Sequence, residues 1–161
     1  MKKESEVERA LRQLRFAVNY ARTGCDYRPK TVYLSYTSGL SAYDRWIVHM
    51  NNPSVLPNRY GMGQLSAVYA EAKQYAAKFL KTIPLTGEAM RLVLLSSEAY
   101  MQVAEQLEKI SRKFPFMRDS SALSPETRKE CADLLQKAKE FETAAIGYLE
   151  NALSTWNREE I

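Results

Sequence analysis

One histidine and two cysteines leave this 161-residue chain little with which to hold a transition metal. His49 has no second histidine to join it, and Cys25 and Cys131 are far apart in sequence. The Glu-x-x-His pair of di-iron bundles is absent, and Asp44, Glu71, Glu98 and Glu105 each read as solvated charges. A Cys25–His49 nucleophile and base would need a third group to order it, and none is identifiable. None of the six glycines falls in a phosphate-loop or dinucleotide pattern. No metal site, cofactor or catalytic residue is therefore expected.

No apolar run approaches the roughly 20 residues of a membrane span. The charged start, Met-Lys-Lys-Glu-Ser-Glu, lacks the apolar stretch of a signal peptide. Together with unpaired cysteine spacing, this leads to an expected cytoplasmic location with no membrane partner.

An excess of basic charge is absent outside the first 30 residues. That segment holds eight Lys/Arg against four Asp/Glu, and the remainder holds fifteen of each. A nucleic-acid surface would use Arg9, Arg12, Arg15 and Arg22, but Glu4, Glu6 and Glu8 precede them. Acids at the start of a helix and bases toward its end suit the helix dipole. No nucleic-acid motif accompanies the charge, so nucleic acid is not an expected partner.

What the chain has in quantity is helical periodicity. Val93, Ser96, Tyr100, Val103, Leu107, Ile110 and Phe114 recur in steps of three and four. So do Cys131, Leu134, Ala138, Phe141, Ala145, Tyr148 and Ala152, with Lys137, Lys139, Glu140, Glu142 and Glu150 largely off the stripe. A first helix spans Ser5–Arg22 on Val7, Leu11, Leu14, Val18 and Ala21, and Gly24 stops it. Residues 25–37 read as an extended connection across the bundle. A second helix opens at Ser38 and closes at Asn51-Asn52-Pro53, with Tyr43, Trp46, Ile47 and Met50 on one face. A long loop to Gly63 follows, lid-like or merely exposed, whose Gly61 and Gly63 amides could hold an anion. The third helix runs Gln64–Thr82 on a stripe of Leu65, Val68, Ala72, Tyr75 and Phe79. Thr86 caps the fourth, which runs to Lys113. Ser124 caps the fifth, with Pro125 at its first position, and it continues to Trp156.

Short connections between long amphipathic helices favour antiparallel neighbours. The expected fold is all-α: one domain over 1–161, an antiparallel four-helix bundle of the first, third, fourth and fifth helices. The second is one additional short helix crossing an end or side.

Ten tyrosines are many for this length, and Tyr43, Tyr69, Tyr75, Tyr100 and Tyr148 fall on inner faces. A buried hydroxyl needs a partner, so these rings, with Trp46 and Ser96, either line a pocket or sit at the bundle's margin. The candidate ligand-binding residues are Tyr43, Trp46, Tyr69, Glu71, Tyr75 and Tyr100.

Three segments also resemble a known family: Ser38-Gly-Leu-Ser-Ala-Tyr-Asp-Arg-Trp-Ile47, Tyr69-Ala-Glu-Ala-Lys-Gln-Tyr-Ala-Ala-Lys-Phe-Leu80, and Val103-Ala-Glu-Gln-Leu107 leading into Lys113-Phe-Pro-Phe116. Their order is similar to the helical C-terminal portion of bacterial proteins like the butirosin-biosynthesis H protein. The resemblance covers about residues 5–155 and implies a helical module with signature positions Gly39, Tyr43, Trp46, Glu71 and Phe114. The cysteine-bearing papain-like part that such proteins place before this region is not in this chain, so no catalytic residue carries over.

Three functions follow as expectations. The first is a non-catalytic module binding a small molecule or a protein partner. The second is a small enzyme or accessory subunit using a carboxylate or tyrosine, with Glu71 or Asp44 as the acid. The third is a homo-oligomeric structural module, its contacts supplied by the fourth and fifth helices.

Overall fold

The computed structural model describes residues 4–24, 26–27, 36–55, 59–114 and 123–159. They form five helices: α1 (Glu6–Thr23), α2 (Ser41–Asn51), α3 (Arg59–Leu80), α4 (Gly87–Lys113) and α5 (Pro125–Glu159). Two residue pairs break the all-helical pattern. β1 (Asp26–Tyr27) pairs antiparallel with β2 (Tyr36–Thr37), so part of the expected extended connection is a short two-stranded ladder.

Side chains set the starts. Ser5 and Glu8 form a capping box at α1, each side chain bonding the other's backbone N–H. Ser124 accepts from the Thr127 N–H, and Pro125 opens α5. At α2 the expected cap is displaced. Ser38 is buried, the helix begins at Ser41, and the Ser41 hydroxyl donates to the Ser38 carbonyl.

The end of α1 meets the start of α2 through two glycines, Gly24 at φ 53° and Gly39 at φ 70°. The Leu40 N–H donates to the Ala21 carbonyl at 2.9 Å. A Cβ on Gly39 would stand 2.7 Å from that same oxygen, so only glycine allows this approach.

Consecutive long helices run antiparallel. Gly63 at the start of α3 accepts from Ser111 near the end of α4, while Ala77 near the end of α3 accepts from Ser97. Lys113 at the end of α4 pairs with Glu130 near the start of α5. Helix α2 does not cross an end. It lies lengthwise and antiparallel along α5, joining Asp44 to Lys139, Tyr43 to Glu142 and Met50 to Arg128. An 11-residue helix lying along a 35-residue one buries Tyr43 and Met50 without leaving the bundle wall.

Helix α3 departs most from its expected orientation. Leu65, Val68, Tyr75 and Phe79 are 48%, 52%, 61% and 45% exposed. Its buried face is instead Met62, Ser66, Ala70, Ala77 and Leu80. The small residues allow α3 and α4 to approach closely, which Ser97 secures by bonding the Ala77 backbone. The helix also starts five residues early, at Arg59, so Gly61 falls in its first turn and Gly63 just past it. The loop before it is correspondingly shorter.

The other stripes pack inward. All seven positions of the expected stripe are buried: Val93, Ser96, Tyr100, Val103, Leu107 and Ile110 on α4, and Phe114 at its C-cap. On α5 the core face is broader than expected and includes Leu135, Ile146, Leu149 and, against expectation, Glu142. The repeating stripes of α4 and α5 pack against one another within the chain.

Candidate functional site

The buried apolar side chains divide into two clusters along the helices. One joins α1 to the end of α3, the first half of α4 and the last half of α5. The other joins α2 to the remaining halves. On α3 the division falls between Ala70 and Ala77, and on α5 between Ala138 and Ala145. Lys73 and Glu142 fall within those intervals, beside the partly buried Ala76 and Phe141. Ala21, Ser38 and Gly39, at the junction of α1 with α2, line the same cavity as Lys73 and Glu142.

These charges meet. Lys73 Nζ donates to Glu142 Oε1 at 2.5 Å, and the Tyr43 hydroxyl donates to Glu142 Oε2 at 2.6 Å. Lys73 also stands over the Tyr100 ring, 5.4 Å from its centroid, as a cation–π contact. Glu142 as a whole is 7% exposed. Burial, reinforced by the negative charge of Glu142, pushes the Tyr43 phenol far above its usual range. The same two causes, in the same order, raise Tyr100. Both rings are therefore neutral hydrogen-bonding groups at ordinary pH, and neither is a base.

Above this polar floor opens a cavity of about 580 Å³, within the usual range for small-molecule sites. Tyr43, Trp46, Tyr69, Lys73, Tyr100 and Glu142 line it, with Leu107 and the glycine junction at Gly39. Phe16 and Tyr20, stacked with centroids 6.2 Å apart, add an aromatic wall from α1, and Tyr36 adds another ring. Trp46 is fixed on two sides. Its indole N–H points at Met62 Sδ, 3.1 Å away, and its ring meets Tyr69 edge-on at 6.4 Å.

Of the six residues singled out from sequence, the structure brings Tyr43, Trp46, Tyr69 and Tyr100 to this cavity. Glu71 and Tyr75 lie outside it, on the exposed side of α3, because that helix is turned relative to its apolar stripe. Asp44 is exposed and paired with Lys139. Neither Asp44 nor Glu71 thus has the water-excluding wall that a buried acid requires. Ser96 is fully buried with its hydroxyl unpartnered, but it does not line the cavity. Tyr148 is half-buried against the α1 cluster.

Sequence reasoning missed Lys73, Glu142, Phe16 and Tyr20. Glu142 stands four residues before Ile146 and seven after Leu135, and that spacing alone could have placed it on the core face. His49 is exposed, and Cys25 lies outside the described residues. Cys131 is a free, buried thiol whose pKa is pushed up to about 11 by burial, so it is an inert packing group.

Among the described residues, no three His, Cys, Asp or Glu side chains gather to hold a metal ion, and Asp44, Glu71, Glu98 and Glu105 do not converge. No helix is long and apolar enough to cross a membrane. The α1 arginines are engaged, among them Arg9 and Arg12 with Glu4, and Arg22 with Glu150. Comparison with protein-family models, curated proteins and solved structures finds no match to this chain.

Proposed function

We propose that this chain is a non-catalytic helical module that binds a small amphipathic molecule in the cavity beside Tyr43 and Trp46. The ligand has a flat apolar body between the aromatic walls and a hydrogen-bonding tip at the floor. One observation carries the reading: a largely buried Lys73–Glu142 pair, with the Lys73 side chain 24% exposed, forms the base of an open, aromatic-lined cavity. A buried ion pair costs desolvation that an apolar pair of similar volume would avoid. Its position at the base of an open cavity gives it a use, because a ligand's amine can bond Glu142 and its acceptor can bond Lys73 or Tyr100.

The same reading takes the fold as an antiparallel four-helix arrangement. Helices α1 and α2, in succession, occupy the first position, and α3, α4 and α5 occupy the others. The break between α1 and α2 is what leaves room for the cavity. The resemblance to the helical part of the butirosin-biosynthesis H proteins adds only that Gly39, Tyr43 and Trp46 are among its signature positions.

The experiment is ligand-observed NMR on the full chain with a set of aromatic amines, phenols and aromatic carboxylates. Trp46 fluorescence, in a Trp156→Phe background, gives a second readout. At least one class binds below about 1 mM, the weak end of specific recognition. Trp46→Ala and Glu142→Gln then weaken it tenfold or more while the circular dichroism stays helical. No binding by any probe, or unchanged affinity in both variants, would overturn the reading.

A further inference from the structure

The apolar stripe of α3 faces outward and has no packing partner from another helix among the described residues. Leu65, Val68, Ala72, Tyr75 and Phe79 follow one another in steps of three, four, three and four. That is the a and d spacing of a coiled-coil seam, and it spans about 21 Å of helix axis. All five are exposed, and they stand opposite the buried Ser66, Ala70 and Ala77. We propose that two copies of this chain pair through this face of α3, with the two helices antiparallel.

Size and charge both select the orientation. In an antiparallel pair centred between Lys73 and Gln74, Ala72 of one copy packs against Tyr75 of the other, and Val68 against Phe79. The layers made by Val68, Ala72, Tyr75 and Phe79 then each join a smaller side chain to a larger one, the alternation that fills a seam evenly, and Leu65 lies beyond them at either end. A parallel pair in register would instead stack Tyr75 on Tyr75 and leave Ala72 facing Ala72.

The flanking charges agree. Glu71 and Lys78 each precede an a position by one residue, at the g positions of the heptad. Neither forms an ion pair among the described residues, and Lys78 lies over the Tyr75 ring of its own helix. In the antiparallel register Glu71 of each copy faces Lys78 of the other, giving two symmetric ion pairs across the seam. In the parallel register Glu71 would face Ala76 and gain nothing. The seam is thus self-complementary in shape and charge in one orientation only.

The test is sedimentation velocity on the full chain from about 1 to 100 μM, spanning a micromolar Kd. A concentration-dependent dimer is expected. Tyr75→Glu, at an exposed position, yields a monomer with unchanged helicity. Glu71→Lys alone sets like charges against Lys78 and weakens the dimer about tenfold. The double reversal Glu71→Lys/Lys78→Glu restores it. A monomer throughout the range, or a dimer untouched by Tyr75→Glu, overturns the interface. A dimer lost in Tyr75→Glu but indifferent to Glu71→Lys overturns the antiparallel orientation.

Discussion

Tyr43 and Glu142, ninety-nine positions apart, are joined by a 2.6 Å hydrogen bond between α2 and α5. Lys73 of α3 holds the other carboxylate oxygen. Three helices thus share one carboxylate at the level where the apolar core divides. The carboxylate is satisfied on both oxygens, which is what makes its burial tolerable.

Breaking one side of that arrangement is more damaging than removing it altogether. Lys73→Met leaves the Glu142 carboxylate buried with the Tyr43 hydroxyl as its remaining partner. The loss is about 2 kcal/mol, below the value for fully buried pairs because the Lys73 side chain is 24% exposed. The double variant Lys73→Met/Glu142→Leu recovers most of it. Urea unfolding of the two variants and the parent measures this directly. A double variant no more stable than Lys73→Met would mean that the carboxylate is not the source of the cost.

Raised phenol and thiol pKa values set an alkaline limit on the fold. Tyr43 and Tyr100 ionise in the unfolded chain near pH 10 and Cys131 near pH 9, but all three hold their protons to higher pH when folded. The unfolded state then binds fewer protons, and unfolding becomes easier as pH rises. Their contribution is fully present below about pH 9 and is lost progressively above it. Each group that has passed its unfolded pKa removes roughly 1.4 kcal/mol per pH unit. Urea midpoints therefore fall steeply between pH 9 and 11 in the parent, and less steeply in Tyr43→Phe/Tyr100→Phe. Equal slopes would place the alkaline limit elsewhere. In a Cys25→Ser background, Cys131 stays unreactive to a thiol reagent at pH 8 until denaturant is added.

Where both flanks of a helix are covered by apolar neighbours, the residue pattern was enough to orient it. Val93 to Phe114 on α4 is such a case, since every expected position is buried. Helix α3 was not legible because it carries two stripes, one large and exposed, one small and buried. Periodicity finds a stripe but does not say which of two faces the core. Here close backbone approach decided, and Ser66, Ala70 and Ala77 permit it where Leu65 and Tyr75 would not. Four aromatic members of the cavity were readable from inner-face spacing. Lys73 and Glu142 were not, because a charge becomes tolerable inside only through a partner, and theirs is 69 positions away.

Arg128 shows the same limit and yields the last prediction. It is 8% exposed and has no carboxylate beside it among the described residues. Its guanidinium instead donates to four backbone carbonyls: Met50 at 2.9 Å, His49 at 3.1 Å, Val55 at 2.8 Å, and Asn52. Those oxygens end α2 and its following turn, where helical carbonyls lack intrahelical donors and carry the negative end of the dipole. A planar fork spreads five N–H groups over three nitrogens and can reach all four carbonyls, whereas an ammonium has three N–H groups on a single atom. Arg128→Met keeps the apolar stem and deletes the donors, so it should cost about 3 kcal/mol. Arg128→Lys should recover only part of that. Amide exchange is the sharper readout, since the last turn of α2 loses protection in Arg128→Met while α4 keeps it after correction for global stability. Because α2 carries Tyr43 and Trp46, the same variant should weaken any cavity ligand without touching it. A loss under about 1 kcal/mol, with α2 exchange unchanged, would mean that water serves those carbonyls as well as the guanidinium does.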